Sequence, residues 1–247
     1  MDLTDYSFPN QVPTWCPGCG NFAVLSAVKE SLVRLNIAPK DTVVTYDIGC
    51  GGNMVNFLRV CGFATLHGRS IPVAVGAKKA NPNLTVIAQG GDGGLLNEGT
   101  NHLVHAAQRN DNITVLLFNN LVFALTTGQM SSATPLGMRT KSTPEGNPYK
   151  PLNALLLAAS SGDGFLARVF AFDVDKMTTI VKEALAYPGF SLVEIVMPCL
   201  AWGGNYNVSY FQDRIFYQKK PFKNKQKLVN FLVKGKKDKL PLGIFWR

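Results

Sequence analysis

Hydrophobic residues repeat with the period of a helix in some segments of the chain and form short β-branched runs in others. Helical spacing of apolar residues predicts helices at 21–35, 71–80, 95–109, 151–160 and 175–186. Short apolar runs bounded by polar or glycine-rich segments predict strands at 42–46, 84–88, 113–118, 165–172 and 191–196. Strands that alternate with helices of about 10–15 residues indicate an α/β fold, with a doubly wound, mostly parallel sheet and helices on both faces.

Three of the predicted strands end in loops with unusual residues. The sequence DIGCGG follows residues 42–46, GGDGG follows 84–88, and NN follows 113–118. Ligands of open parallel sheets bind beyond the carboxyl ends of the strands. We therefore expect the functional site at this edge of the sheet.

Composition limits the class of protein. The chain has 247 residues, of which 46% are hydrophobic and 17% charged. It can form one sizeable domain or at most two small ones, and global disorder is excluded. No apolar run reaches the length of about 18 residues that suggests a membrane span. The start, MDLTD, is too acidic for a secretory signal, so we expect a cytoplasmic protein without a membrane segment.

The positive charge is concentrated near one end. Ten Lys or Arg and a single acid lie between Arg214 and Lys239, and this segment accounts for the whole net charge of +9. We predict an α/β domain at residues 1–204 and a basic extension at 205–247, packed on the domain or on a partner. Such an extension can contact nucleic acid, a membrane surface or an acidic protein, or can be a solvated face.

The loop Gly91-Asp92-Gly93 indicates phosphate chemistry. Glycine N–H groups at a helix start can approach a phosphate, but the Asp92 carboxylate would repel it unless a cation lies between them. Mg²⁺ takes oxygen ligands from protein and diphosphate together, and Asn119-Asn120 ends the next strand. The 30 residues from Gly91 to Asn120 resemble the thiamine diphosphate motif. The alternative is a βαβ unit with an ordinary polar loop.

Five cysteines in a chain without a secretion signal argue against a disulfide framework. Cys16 and Cys19 form a C-x-x-C pair before a helix, while Cys50 and Cys199 each follow a strand. One pair plus two single thiolates could surround a [4Fe–4S] cluster or bind zinc, and spacing alone does not separate these alternatives. We predict that Cys61 is a small buried hydrophobe.

The motifs taken together resemble one family. They are, in order, WCPGCGNF, DIGCGG, TLHGRSIPVAVGAKKANP, GGDGG, NHLVHAAQRN, ITVLLFNN and TTGQ. In this order, from about residue 11 to 200, they resemble the β subunit of 2-oxoacid:ferredoxin oxidoreductases, of the pyruvate and 2-oxoglutarate type. The resemblance implies a thiamine diphosphate-binding fold with an iron–sulfur cluster close to the cofactor.

The resemblance also implies the site residues. Cys16, Cys19, Cys50 and Cys199 fall on the cluster ligands. Asp92, Asn120 and the carbonyl of Val122 fall on the Mg²⁺ site. The residues that would bind thiamine diphosphate are Gly49, Cys50, Gly91, Asp92, Gly93, Asn120, Val122 and Thr126. His67 and Arg69 are the candidate catalytic residues, because a His can move a proton and an Arg can bind a carboxylate with two hydrogen bonds.

The implied activity is oxidative decarboxylation of a 2-oxoacid to acyl-CoA and CO2, with electrons passed through the cluster to ferredoxin. In the family, the Glu that activates the cofactor comes from a pyrimidine-binding domain. We find no second domain of this kind here, so the chain is expected to be active only with an α subunit. A basic extension could steer an acidic ferredoxin, or it could pack on the α subunit.

Some positions depart from the family pattern. Gly94 stands where the family often has a second Asp, Asn97-Glu98 replace small residues, and Leu121, Phe123 and Ala124 follow the paired asparagines. The alternatives are a related indolepyruvate- or oxalate-type subunit, a degenerate non-catalytic subunit, or a zinc-stabilised α/β binding protein. Nucleic-acid binding is disfavoured because few aromatic residues stand among the lysines.

Overall fold

The computed structural model describes residues 1–235 and 238–247, so two lysines of the predicted extension, Lys236 and Lys237, lie outside the described residues. The strands are β1 Thr42–Tyr46, β2 Cys61–Ala64, β3 Thr85–Gly91, β4 Thr114–Asn119, β5 Val122–Phe123, β6 Gln129–Met130, β7 Phe165–Phe170, β8 Ser191–Val196, β9 Ile215–Tyr217 and β10 Leu240–Trp246. The α-helices are α1 Gly20–Arg34, α2 Ser70–Ala80, α3 Thr100–Arg109, α4 Ala154–Ser161, α5 Val174–Ala186, α6 Val208–Gln212 and α7 Lys225–Lys234.

One eight-stranded sheet runs through the described chain, in the order β2-β1-β3-β4-β8-β7-β10-β9. The pairs from β2 to β7 are parallel, and only the pair of β10 with β7 is antiparallel. Every residue of β1, β4, β7 and β8 is buried, because helices cover both faces. The predicted α/β class with a mostly parallel sheet is confirmed.

Two hydrophobic clusters lie on opposite faces of the sheet. Helices α2, α3, α4 and α7 contribute to one cluster, and α1 and α5 to the other. Because parallel strands share one direction, β1, β3, β4 and β8 all end at the same edge. The loops after these four strands are therefore brought together, and they hold the unusual residues noted in the sequence.

Strand β2 is a departure from the predicted elements. It is an edge strand in which all four residues are exposed, so it lacks the apolar signature of a buried strand. Cys61 lies in this strand and is exposed, so its predicted burial is wrong.

The helix predicted at 95–109 also differs from expectation. The chain first forms a π-helical turn at Gly93–Glu98 and becomes α-helical only at Thr100. Such turns often occur at functional sites, and this one follows Asp92 directly.

The predicted basic extension is built into the sheet. Strand β10 pairs antiparallel with β7 and parallel with β9, while Leu228 and Leu232 of α7 join the cluster formed with α2, α3 and α4. The boundary at residues 204 and 205 stays a prediction. Within residues 1–235 and 238–247, no helix has both the length and the apolar character needed to cross a membrane.

Candidate functional site

Four of the five cysteines line one cavity of about 730 Å³ at the carboxyl edge of the sheet. This cysteine cavity is lined by Cys16, Cys19, Cys50 and Cys199, whereas Cys61 is not among its lining residues. Across the described parts of the chain, no three His, Cys, Asp or Glu side chains are arranged so that they could hold a metal ion.

Local structure fixes each cysteine. The Cys19 N–H donates to the Cys16 carbonyl over 3.0 Å, so the pair forms a tight turn, and Cys19 is the N-cap of α1. The Trp15 indole donates to the Cys50 carbonyl over 2.7 Å. The Trp202 N–H donates to the Cys199 sulfur over 3.4 Å.

Electrostatic interactions couple the four thiols. Burial raises the pKa of the Cys50 thiol to about 11, and the other three thiols add to this rise. Burial also raises the pKa of Cys19, a rise that the backbone N–H of Asn21 opposes. Four thiolates in one cavity would repel one another, so their joint ionisation requires a compensating positive charge.

A second, smaller pocket of about 90 Å³ lies beside the cysteine cavity, and we call it the glycine-rich pocket. All eight residues predicted to bind the cofactor line it, namely Gly49, Cys50, Gly91, Asp92, Gly93, Asn120, Val122 and Thr126. His67 also lines this pocket, but Arg69 does not. The fold therefore brings together residues from four separate loops, as the carboxyl edge of a parallel sheet allows.

Asp92 lines this pocket and is fully buried. Its carboxylate accepts a hydrogen bond from the Asn120 N–H over 3.2 Å and another from the Ser131 hydroxyl. Burial raises the pKa of Asp92 to about 6, although these hydrogen bonds act in the opposite direction. The Asn120 side-chain oxygen accepts from the Val122 N–H over 3.1 Å, so the three predicted Mg²⁺ ligands are linked in one network.

Asp47 was not predicted as a site residue, and it is buried beside the glycine-rich pocket. Its carboxylate accepts hydrogen bonds from the Ile48 and Gly68 N–H groups and lies 2.9 Å from Nδ1 of His67. The His67 ring packs edge-on against Phe123, with ring centroids 5.9 Å apart. The one sequence signal for Asp47 was its position as the first residue of DIGCGG. Its partners lie about twenty residues further along the chain, so local sequence does not reveal the contact.

Arg69 is exposed and lies outside both cavities. Its guanidinium donates to the Glu98 carbonyl over 3.0 Å and to the Gly68 carbonyl over 3.3 Å. These two hydrogen bonds connect the loop that contains His67 with the π-helical turn that follows Asp92.

The two cavities share part of their lining. Residues found in both are Ile48, Gly49, Cys50, Asn120, Ala124, Leu125 and Met197. A ligand in the glycine-rich pocket and a group held by the four cysteines would therefore be neighbours.

Comparisons with known proteins identify the family of the chain. Residues 47–195 match the family model "Thiamine pyrophosphate enzyme, C-terminal TPP binding domain". The 2-oxoacid:ferredoxin oxidoreductase subunit beta of Saccharolobus solfataricus is 38% identical over 94% of this chain and 81% of its own length. The 2-oxoglutarate synthase subunit KorB of Archaeoglobus fulgidus is 36% identical over 80% of this chain and 74% of its own length.

A solved structure is similar over the whole chain. It is the 2-oxoglutarate:ferredoxin oxidoreductase from Magnetococcus marinus with 2-oxoglutarate, coenzyme A and succinyl-CoA bound. Its TM-score is 0.95 at 30% sequence identity, and the match covers 100% of this chain and 85% of that one. With its thiamine diphosphate-binding domain, this chain belongs to the family of 2-oxoacid:ferredoxin oxidoreductase β subunits.

Proposed function

We propose that this chain is the cofactor-binding subunit of a cytoplasmic enzyme that oxidatively decarboxylates a 2-oxoacid. The reaction converts the 2-oxoacid and coenzyme A to acyl-CoA, CO2 and a proton. Two oxidised ferredoxins accept the two electrons released, and a [4Fe–4S] cluster held by Cys16, Cys19, Cys50 and Cys199 would supply the redox centre for this transfer. The ligands named for the Magnetococcus marinus enzyme, a 2-oxoacid and its acyl-CoA product, match this reaction.

The observation that carries the proposal is the shared lining of the two cavities. Cys50 belongs to both, since it lines the cysteine cavity and the glycine-rich pocket. A cofactor in the pocket would then lie directly beside a cluster in the cavity. Electrons would then have only a short distance to travel from the cofactor to the cluster. A zinc ion with a purely structural role would have no need to lie beside the cofactor.

The donor set fits the cluster. Four thiolates are the ligands that a [4Fe–4S] cluster takes from protein, and the cysteine cavity offers four. Each thiolate binds a different iron, so the four sulfurs surround a larger volume than the ligands of one ion. The positive charge of the irons would also relieve the repulsion among the thiolates.

The glycine-rich pocket fits a diphosphate with Mg²⁺. Asp92 supplies a carboxylate, and Asn120 an amide oxygen, which are ligands of the kind that Mg²⁺ prefers. Gly93 has no room for a side chain, because a Cβ there would lie 2.3 Å from the Phe123 ring. Thiamine diphosphate, when bound, supplies the electron sink for decarboxylation.

His67 is the residue that we propose to move a proton at this site. Its Nδ1 faces the Asp47 carboxylate, and a buried carboxylate of this kind fixes the tautomer of a histidine ring. The other ring nitrogen, Nε2, is then available to the ligand. We propose that the exposed Arg69 binds the carboxylate of the incoming 2-oxoacid.

Two features support the need for an α subunit. Of the described residues that line the glycine-rich pocket, Asp92 alone carries a carboxylate, so the Glu that activates the cofactor must come from elsewhere. In addition, apolar side chains at the two cavities face solvent: Ile48 is 47%, Leu125 59% and Trp202 46% exposed. Such a patch beside a site is typical of a protein interface.

Ferredoxin must approach the cysteine cavity to accept electrons. Cys19 and Cys50 pack against the hydrophobic cluster of α1 and α5, whereas α7 lies on the opposite face of the sheet. The lysines of α7 would therefore act on an acidic ferredoxin at a distance, through the electric field of the extension. Rates that fall steeply with ionic strength would support this steering.

The first experiment is to measure iron, acid-labile sulfide and zinc in anaerobically purified protein, in the complex and in the separated chain. We expect about four irons and four sulfides per chain, and reduction of ferredoxin by a 2-oxoacid only with coenzyme A and the α subunit. One zinc without sulfide would remove the electron path and contradict the proposal. Asp92→Ala should fold but lose affinity for thiamine diphosphate with Mg²⁺.

A further inference from the structure

Asn21 is a buried amide without a partner beside the cysteines. It is the second residue of α1, is 0% exposed and lines the cysteine cavity. Neither its side-chain nitrogen nor its oxygen has a hydrogen-bond partner among the described residues. An unpaired buried amide destabilises a fold, so a polar residue at this position implies a polar partner in the working protein.

The geometry identifies that partner. Asn21 lies two residues beyond Cys19, and both residues line the cysteine cavity. The sulfurs of the four cysteines are the groups in this cavity that gain negative charge when a cluster is present and reduced. Of the two side-chain atoms, only the nitrogen can donate to such a sulfur.

Building on the proposed function, we propose that the Asn21 side-chain amide donates a hydrogen bond to the Cys19 thiolate and thereby raises the reduction potential of the cluster. Hydrogen bonds to ligand sulfurs stabilise the added electron, and they are one of the means by which proteins set cluster potentials. Asn21 is thus a positioning residue that acts through Cys19. The Trp202 N–H on Cys199 makes a similar contact from the main chain, which side-chain substitution does not remove.

The test is a redox titration of the anaerobically purified complex with dithionite, followed by electron paramagnetic resonance. Asn21→Leu keeps the size of the side chain but removes the donor. We expect unchanged iron and sulfide, and an equilibrium constant for reduction about tenfold less favourable. For a one-electron couple this is a midpoint potential about 59 mV more negative. Equal midpoint potentials in two fully loaded proteins would overturn the role of Asn21.

Asn53 provides a matched control. It also lines the cysteine cavity, but its amide donates to Thr14 over 3.0 Å and its oxygen accepts from Asn56 over 2.7 Å. Asn53→Leu should leave the potential unchanged. A shift as large as that of Asn21→Leu would mean that general polarity of the cavity sets the potential, which contradicts a specific bond.

A second variant protects the test against a folding defect. Asn21→Ala removes the donor without adding bulk, so it can be titrated if Asn21→Leu does not hold the cluster. It should show the same negative shift, and the absence of a shift would overturn the inference. A wild-type complex without iron would instead overturn the proposed function, and with it the role of Asn21.

Discussion

A Cβ atom on Gly94 would lie 2.5 Å from Oδ1 of the buried Asp47 carboxylate. Asp47 cannot move away easily, because the N–H groups of Ile48 and Gly68 hold its oxygens. The absence of a side chain at position 94 is therefore a requirement of the fold around Asp47.

Gly94→Ala should destabilise the protein by about 1–3 kcal/mol, the usual range for overpacking a buried site. Gly76→Ala is the matched control. Gly76 lies in helix α2, and a Cβ atom added there would meet no other atom within 4 Å, so alanine should stabilise by about 0.5–1 kcal/mol. Denaturant unfolding of both variants measures the difference. Equal stability of the two variants would show that the Asp47 loop yields to a side chain.

Asp47→Asn should reduce kcat by about 10²-fold or more, the range for loss of a positioned acid–base group. The amide can still accept from Gly68, so the fold should persist, but it no longer fixes the tautomer of the His67 ring. His67→Gln should have a similar effect, and the double variant should be little worse than either. Steady-state kinetics of the complex provides the measurement, and losses that multiply would mean that the two residues act independently.

The stability of the ligand-free protein should depend on pH through Asp92. Its pKa is about 6 in the folded chain, against an ordinary value of 3.8. The folded state therefore holds the proton more tightly than the unfolded chain. Asp92 contributes stability below pH 3.8 that is lost as the pH rises through about 6, on the order of 3 kcal/mol. Unfolding in a chelator from about pH 4 to about pH 7 should show this decline in wild type, while Asp92→Asn removes it.

Binding of Mg²⁺ with thiamine diphosphate should show the opposite trend. The cation needs the ionised carboxylate, so a proton must leave Asp92 before or during binding. We expect the affinity to rise about tenfold per pH unit as the pH increases towards about 6, and to stay constant above that pH. Calorimetric titration across this range would test the expectation, and a flat profile would mean that Asp92 is not a ligand.

The cysteine assignments make a separate prediction. Cys16→Ser and Cys199→Ser should each lose the cluster, since each removes one of four thiolate ligands. Cys61→Ser should keep it, because Cys61 lies on the exposed edge strand and outside the cysteine cavity. Iron and sulfide content of the three anaerobically purified variants is the measurement. Equal iron in all three would contradict the assignment of the four ligands.

Much of the fold follows from local pattern. The buried strands β1, β4, β7 and β8 are short apolar runs, and helices α1 and α5 have clear apolar spacing, so the sequence predicts them within a few residues. Strand β2 could not be predicted in this way, because an exposed edge strand has no apolar face to leave a pattern. Strand β10 has an apolar sequence, but its place beside β7 depends on a pairing between distant parts of the chain.

Some residues of the candidate site can likewise be predicted from the sequence, and others cannot. The part of the glycine-rich pocket formed by Gly91, Asp92, Gly93 and Asn120 was predictable, because spacing and residue type along one βαβ unit define it. Gly49 and Cys50 were predicted only from the resemblance to the family.

Asp47 and Asn21 were not predictable, since each is significant only through neighbours supplied by other segments. The role of Asp47 depends on its contacts with His67 and Gly94, which lie elsewhere in the sequence. The role of Asn21 depends on the cysteine cavity, which Cys199 from a distant segment helps to line.

The cysteine cavity has a consequence for how the protein is made. Its thiols come from a turn near residue 16, from the end of β1 and from the segment after β8. During synthesis the first two segments leave the ribosome well before the third. A cluster bound by all four thiols would therefore have to be inserted after β8 has joined the sheet, and the thiols would have to stay reduced until then.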